Sequence, residues 1–147
     1  QEQKINNSLL FNIATSGFYS GGTLHDQIFI AERDAIVEMA QTGACVIVGR
    51  CADYILRERK DVLNIFIYAD MESKMERAVT YFGLEKENVS AILKKKDKAR
   101  ANHYKYYTEN DWRDSSNYDI CINSDALGVE KASEIICDIV NNKVTVS

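Results

Sequence analysis

The chain has 147 residues, enough for one domain with its own hydrophobic core. Apolar residues make up 46% and charged residues 27% of the sequence, and no apolar stretch approaches the roughly 18 residues of a membrane span. The net charge of −4 argues against nucleic acid as the main partner. We therefore expect a single globular domain over 1–147, with no membrane and no nucleic-acid partner.

Helices and strands are predicted in alternation from the start of the chain. A short helix over 4–14 and a glycine-containing loop over 15–23 come first. An amphipathic helix over 24–41 follows and ends at Gly43. The continuous apolar run over 45–48 then predicts a strand that is covered on both faces.

The alternation continues through the second half of the chain. The segment 62–68 predicts a second strand, and Asp70 predicts the N-cap of a helix that stops at Gly83. A long charged helix, a third strand and a last helix are predicted over 87–107, 118–122 and 129–140. Buried strands that alternate with amphipathic helices indicate an α/β fold with a parallel sheet.

The four cysteines show no spacing typical of a metal site. They are Cys45, Cys51, Cys121 and Cys137. Because they lie in or beside apolar runs, we expect reduced and mostly buried thiols, as in a cytoplasmic protein.

The end of the first predicted strand carries a candidate anion site. In parallel sheets, ligands bind beyond the carboxyl ends of the strands. Arg50 directly follows the run over 45–48, and its planar guanidinium suits a phosphate or a carboxylate. The alternative is an ion pair with Asp53 or Asp70 that holds the strand end. Asp53 either accepts a hydrogen bond from a ligand or only pairs with Arg50.

A second cationic segment lies on the predicted long helix. Asp97 and Arg100 are three residues apart, and Lys96 and Arg100 are four apart, so each pair shares a helix face. An acid and a cation on one face can hold a sugar hydroxyl and a phosphate of the same ligand. Spacing alone favours the alternative, a solvated charged helix with routine internal ion pairs.

Four segments together resemble the cytidylate kinase-like family of bacterial P-loop proteins. They are CVIVGRCADYIL at 45–56, NIFIYAD at 64–70, KKKDKARANHYKYYT at 94–108 and YDICINSDALGVEKASEII at 118–136. That family is similar to the nucleoside monophosphate kinases, which transfer the γ-phosphoryl group of ATP to a nucleotide phosphate. The resemblance implies a three-layer α/β/α fold with a parallel sheet, a helical lid over 84–108 and an acceptor-binding insert over 5–30.

The resemblance also implies roles for individual residues. Arg50 and Arg100 would be catalytic, with Arg50 gripping the acceptor phosphate, while Asp97 would hold the sugar and Arg100 the phosphate. Asp53 is a further substrate-binding candidate, although cytidylate kinases carry the acid directly after that arginine, where this chain has Cys51. Lid lysines would close over the phosphates, namely Lys94, Lys95, Lys96 and Lys98. Mg²⁺ and ATP are the implied cofactors.

One part of the family pattern does not occur in these 147 residues. Family members begin with a strand, a glycine-rich phosphate loop and a helix, and no glycine loop ending in Lys-Ser or Lys-Thr is found here. We expect this unit upstream of residue 1, with its strand between those predicted over 45–48 and 62–68.

The sequence thus predicts ATP-dependent phosphoryl transfer to a nucleoside monophosphate such as CMP. Two alternatives stay open. One is a non-catalytic nucleotide- or partner-binding module derived from a kinase. The other is a small-molecule kinase with a non-nucleotide acceptor.

Overall fold

The computed structural model describes residues 23–143, which divide between two compact units. The first unit ends at Arg57 and the second begins at Glu58. The helix predicted over 4–14, most of the loop over 15–23 and most of the insert over 5–30 lie outside the described residues. Between Thr23 and Lys143, no helix has the length and apolarity that a membrane crossing requires.

From residue 23 onward, the first unit contains two helices, α1 (Leu24–Thr42) and α2 (Ala52–Ile55). Thr23 caps α1: its hydroxyl accepts a hydrogen bond from the Asp26 amide, and the Asp26 carboxylate accepts one from the Thr23 amide. This reciprocal pair satisfies two amides that would otherwise lack partners at the helix start. The two helices pack together, and among the described residues of this unit the buried side chains are Ile36, Cys51 and Leu56.

The strand predicted over 45–48 is wrong for the described part of the chain. The segment is not assigned as a strand, and Val46 and Val48 are 92% and 87% exposed. A strand forms where a neighbour completes its ladder of backbone hydrogen bonds, and residues 23–143 place none beside this segment. The apolar composition is that of a buried strand, but its cover is not found among these residues.

The second unit contains a parallel pair of strands with helices between and after them. Its elements are β1 (Ile65–Tyr68), α3 (Met71–Phe82), α4 (Lys86–Thr108), a 3₁₀ turn (Ser115–Asn117), β2 (Ile120–Asn123), α5 (Ser124–Leu127) and α6 (Val129–Lys143). Ile65 lies opposite Ile120 and Tyr68 opposite Asn123. The parallel direction is as predicted, because the chain crosses over through α3 and α4 before it returns to the sheet.

The sheet of the described residues has two strands, where the sequence predicts three. A three-layer arrangement needs a sheet broad enough to carry helices on both faces, and two strands do not provide one. What the described residues show is a mostly helical α/β fold with a small parallel sheet. In the described part of the second unit, the buried apolar side chains are Ala78, Val89, Tyr104, Ile122 and Ala132.

Capping residues set the bounds of α3 where the sequence predicts them. The Asp70 carboxylate accepts a hydrogen bond from the Ser73 amide at 2.8 Å, and the helix ends at Gly83. Gly83 has φ of 63°, the left-handed conformation in which a side chain is strained and glycine is not.

Hydrogen bonds join the carboxyl ends of β1 and β2 just before helix α3 begins. The Asp70 amide donates to the Asp125 carboxylate, and the Ser124 hydroxyl donates to the Tyr68 carbonyl at 3.1 Å. Arg77 lies 3.4 Å from the Asp125 carboxylate. The hydrogen bond from the Asp70 amide is the main reason that the pKa of Asp125 lies below its ordinary value. These contacts fix the sheet edge from which α3 starts.

All four cysteines are free thiols, but the expectation that most are buried is wrong. Cys51 is buried, whereas Cys45, Cys121 and Cys137 are exposed. The reason is the same as for the segment 45–48, since apolar neighbours in sequence bury a residue only where another element covers them.

The N-cap of α3 gives a direct test of this local structure. We expect Asp70→Ala to lower the free energy of unfolding by about 1 kcal/mol, because the Ser73 amide loses its acceptor. Asp70→Asn keeps a capping oxygen and is the matched control, with a much smaller loss. Urea unfolding followed by circular dichroism measures both, and equal stabilities of the two variants would contradict the capping role.

Candidate functional site

Helix α4 presents a charged face to a cleft of about 380 Å³ in the second unit. The residues of α4 that line the cleft are spaced at intervals typical of one helix face, so their four side chains lie on the same side of the helix. They are Lys94, Asp97, Lys98 and Ala101, and the remaining walls are formed by Met71, Asp111 and Arg113. Three cations therefore face the cleft against two carboxylates.

Asp97 is the centre of an ion-pair cluster in the cleft wall. Its side chain is 8% exposed, and its Oδ2 atom accepts a hydrogen bond from Lys74 Nζ at 2.8 Å. Its Oδ1 atom accepts one from Arg100 Nη1 at 3.1 Å. Arg113 Nη2 lies 3.7 Å from Oδ2. A single carboxylate thus faces three cations from three parts of the chain.

The cations keep Asp97 ionised. Burial by itself would raise the pKa of this carboxyl, because burial penalises the charged form. The hydrogen bond and charge of Lys74, with those of Arg100, outweigh that effect and hold the pKa below its ordinary value. Asp97 is therefore a stable negative charge at neutral pH.

The structure sorts the lid residues indicated by the sequence into two sets. Asp97 and Arg100 are brought together, and Lys94 and Lys98 line the cleft beside them. Lys95 and Lys96 are exposed on α4 and are not among the cleft-lining residues.

Two cations of the cluster were not indicated by the sequence pattern. Lys74 comes from α3 and Arg113 from the loop after α4. Lys74 precedes Asp97 by 23 residues, so neither helical nor strand periodicity relates the two. No local signal would have found this contact, because it depends on how α3 and α4 pack.

In the first unit, Arg50 lies in an unusual backbone turn. Three successive residues adopt the left-handed conformation: Gly49 with φ of 71°, Arg50 with 58° and Cys51 with 56°. For arginine and cysteine this conformation costs energy, since the Cβ atom approaches backbone oxygen. The Ala52 amide donates to the Gly49 carbonyl at 3.2 Å and closes the turn. Such held strain is concentrated at functional sites in proteins.

The structure pairs Arg50 with Glu32 of α1, a partner that the sequence pattern did not indicate. Arg50 Nη1 lies 3.1 Å from Glu32 Oε1, and the arginine side chain is 64% exposed. Much of the guanidinium therefore faces solvent. Asp53 lies on α2, is half-buried and has contacts of its own.

Cys51 is an unreactive neighbour in this turn. Burial, with smaller increases from the charges of Asp53 and Glu32 and an opposing effect from Arg50, raises the pKa of its thiol to about 11. The thiolate is the nucleophilic form of cysteine, so Cys51 is not a nucleophile at neutral pH.

The candidate residues divide between the two units. Arg50 and Asp53 belong to the first, and Asp97 and Arg100 to the second with the lid lysines. Within residues 23–143, no three histidine, cysteine, aspartate or glutamate side chains form a ligand set for a metal ion.

One comparison with known proteins identifies a family, and a second finds a similar solved structure. The sequence model of the cytidylate kinase-like family matches residues 1–126. The crystal structure of an uncharacterized protein from Eubacterium ventriosum is similar, with a TM-score of 0.74 and 31% sequence identity. The match covers 79% of this chain and 73% of that chain. No match was found among curated proteins.

The lowered pKa of Asp97 predicts how the cluster responds to acid. In the unfolded chain, aspartate titrates near about pH 3.9. The ion-pair contribution is therefore fully present above that pH, and it is lost as the pH falls through the lower pKa of the folded state. At pH 7 we expect Asp97→Asn to lower the free energy of unfolding by roughly 1–3 kcal/mol, between the values for exposed and buried ion pairs.

Urea unfolding of wild type and Asp97→Asn at several pH values measures this contribution. The difference between them should shrink below about pH 3.9, because the wild-type carboxyl then loses its charge as well. Asp34→Asn removes an exposed carboxylate paired with Arg33 and is the control, with little effect at any pH. A difference for Asp97→Asn that does not change with pH would contradict the ion-pair account.

Burial and raised pKa predict that Cys51 is the least reactive cysteine of the chain. Treatment of the native protein with iodoacetamide at neutral pH should modify Cys45, Cys121 and Cys137 first, as peptide mass spectrometry can measure. In urea, where burial is removed, all four should react. Modification of native Cys51 as fast as the exposed thiols would contradict its placement.

Proposed function

The chain belongs to the cytidylate kinase-like family, and from that membership we propose that it transfers the γ-phosphoryl group of ATP to the phosphate of a nucleoside monophosphate such as CMP. The observation that carries the proposal is the cationic cleft of α4. The resemblance predicts a lid that contacts phosphates on this helix, and Lys94, Lys98 and Arg100 lie beside or at that cleft.

In the proposed reaction, these residues position the phosphates and neutralise their charge. An oxygen of the acceptor phosphate attacks the γ-phosphorus of ATP, the bond to the β–γ bridging oxygen breaks, and ADP leaves. Arg100 and the cleft lysines offset the negative charge on the transferring group. A nucleotide phosphate is already a competent nucleophile, so the proposal needs no general base. Mg²⁺, when bound, supplies further neutralisation of the donor phosphates.

Arg50 is proposed to grip the acceptor phosphate. Its guanidinium is largely exposed and held on one side by Glu32, so other donors of the fork remain available for a phosphate. The left-handed turn over 49–51 fixes the backbone conformation from which the arginine side chain projects. Asp53, one turn further on α2, is proposed as part of the same substrate-binding set.

The donor phosphates are proposed to bind a glycine-rich loop upstream of residue 1. The open edge of β1 supports this arrangement. Among the described residues β1 pairs with β2 alone, while Ile67 and Tyr68 are 54% and 43% exposed. Uncovered apolar strand edges are avoided in stable domains, and an added parallel strand would cover this one.

The free state of all four thiols supports a cytoplasmic location.

An assay of the full-length protein with ATP and a panel of nucleoside monophosphates tests the proposal. We expect ADP release that depends on the acceptor, with the phosphorylated acceptor detected by ³¹P NMR. Arg100→Gln and Arg50→Gln should each lower kcat/KM by roughly 10²–10³-fold, as expected for loss of a donor that stabilises transition-state charge.

Two arginines that pair with neighbouring aspartates, the exposed Arg33 and the half-buried Arg59, provide controls. Arg59→Gln serves for Arg100 and Arg33→Gln for Arg50, and neither should change the rate. Turnover of an acceptor without phosphate, unaffected by Arg50→Gln, would favour the small-molecule kinase instead. Nucleotide binding with no transfer to any acceptor would favour the non-catalytic module.

A further inference from the structure

We propose that Lys74 and Arg113, both outside the lid helix, join Arg100 in binding a doubly charged phosphate group, and that Asp97 positions these three cations instead of contacting the substrate. The inference rests on the proposed function for the identity of the ligand, a nucleoside monophosphate. The cationic site itself follows from contacts in the second unit.

The charges of the cluster do not balance. Lys74, Arg100 and Arg113 surround the single Asp97 carboxylate, which leaves an excess of two positive charges in the cluster, on a chain whose net charge is −4. Asp111, the other carboxylate that lines the cleft, is outnumbered there by Lys94 and Lys98 and does not remove this excess. A structural ion pair needs no such excess. A phosphate monoester carries about −1.5 to −2 near neutral pH, so one such group would neutralise the cluster.

The two arginines retain hydrogen-bonding capacity for that group. At 3.7 Å from Asp97, Arg113 Nη2 is attracted by charge but is too far for a hydrogen bond. The Arg113 side chain is 64% exposed and the Arg100 side chain 61% exposed. Each guanidinium carries several N–H donors in a fixed plane, so a phosphate between them could receive more than one.

Asp97, by contrast, has little capacity left for a substrate. Arg100 occupies Oδ1, while Lys74 and Arg113 face Oδ2, and the side chain is 8% exposed. With 8% of the side chain exposed, little of this carboxylate is accessible to a sugar hydroxyl. The resemblance assigns Asp97 to the sugar, whereas the geometry points to a positioning residue that orients the three cations.

The loop that carries Arg113 is anchored to the sheet. The Arg113 amide donates to the Asp111 carboxylate at 2.9 Å, which shapes the backbone of the loop. Beside it, the ring of Trp112 packs edge-on against Phe66 of β1, and the Tyr118 hydroxyl donates to the Trp112 carbonyl at 2.7 Å. The backbone that carries the arginine is therefore held before a ligand arrives, which lowers the entropy cost of binding.

The test is calorimetric titration of the full-length protein with CMP and, separately, with inorganic pyrophosphate. Arg113→Gln is the main variant, because the exposed Arg113 side chain can be changed without opening the core. Loss of a charged hydrogen bond to phosphate should weaken CMP binding roughly 10–100-fold. Arg59→Gln, which removes an arginine paired with Asp61, is the matched control and should bind like wild type.

Asp97→Asn separates positioning from sugar recognition. If Asp97 positions the cations, the variant loses affinity for CMP and for pyrophosphate alike. If Asp97 holds the sugar, pyrophosphate binding is unchanged, and that result overturns the positioning role. Lys74→Gln provides a second variant with the same expected pattern, and the melting temperature of each variant shows that it is folded.

The outcomes also separate this inference from the proposed function. Pyrophosphate binding that Arg113→Gln weakens, without any CMP binding by wild type, would keep the anion site and refute the nucleotide acceptor. CMP binding that Arg113→Gln leaves within twofold of wild type would overturn the inference and keep the proposed function. Wild type that binds neither probe would overturn both.

Discussion

The buried carboxylate of Asp97 is the constraint on which the second unit depends. A negative charge that is almost removed from water must be compensated, and here α3, the loop after α4 and α4 itself each supply a cation. The same contacts that satisfy the carboxylate hold three positive charges around a side chain that lines the cleft. Under the proposed function, stability and anion binding share a single arrangement, in which the excess charge is left for a ligand.

The first unit offers a different physical device. The turn at Gly49, Arg50 and Cys51 holds three left-handed residues in succession, two of which carry side chains that disfavour this conformation. The buried Cys51 side chain and the ion pair of Arg50 with Glu32 hold the turn in place. An arginine that is presented in this way suits a family whose chemistry consists of orienting phosphates and offsetting their charge.

Local signals in the sequence predict the helices well and the site only in part. Asp70 and Gly83 mark the ends of α3 because capping depends on a few neighbouring atoms. The pairing of Asp97 with Arg100 follows from helical spacing in the same way. Lys74 and Arg113 reach Asp97 through tertiary packing, which no local pattern encodes. The run over 45–48 has the composition of a buried strand, but composition does not say which element covers it.

The position of a bound phosphate tests the proposed cation site most directly. A crystal structure of the protein with CMP would locate it, and we expect the phosphate oxygens within hydrogen-bonding distance of Arg100 and Arg113, with Asp97 still paired to Lys74. A phosphate that lies away from this cluster, with a ribose hydroxyl on the Asp97 carboxylate, would contradict the account.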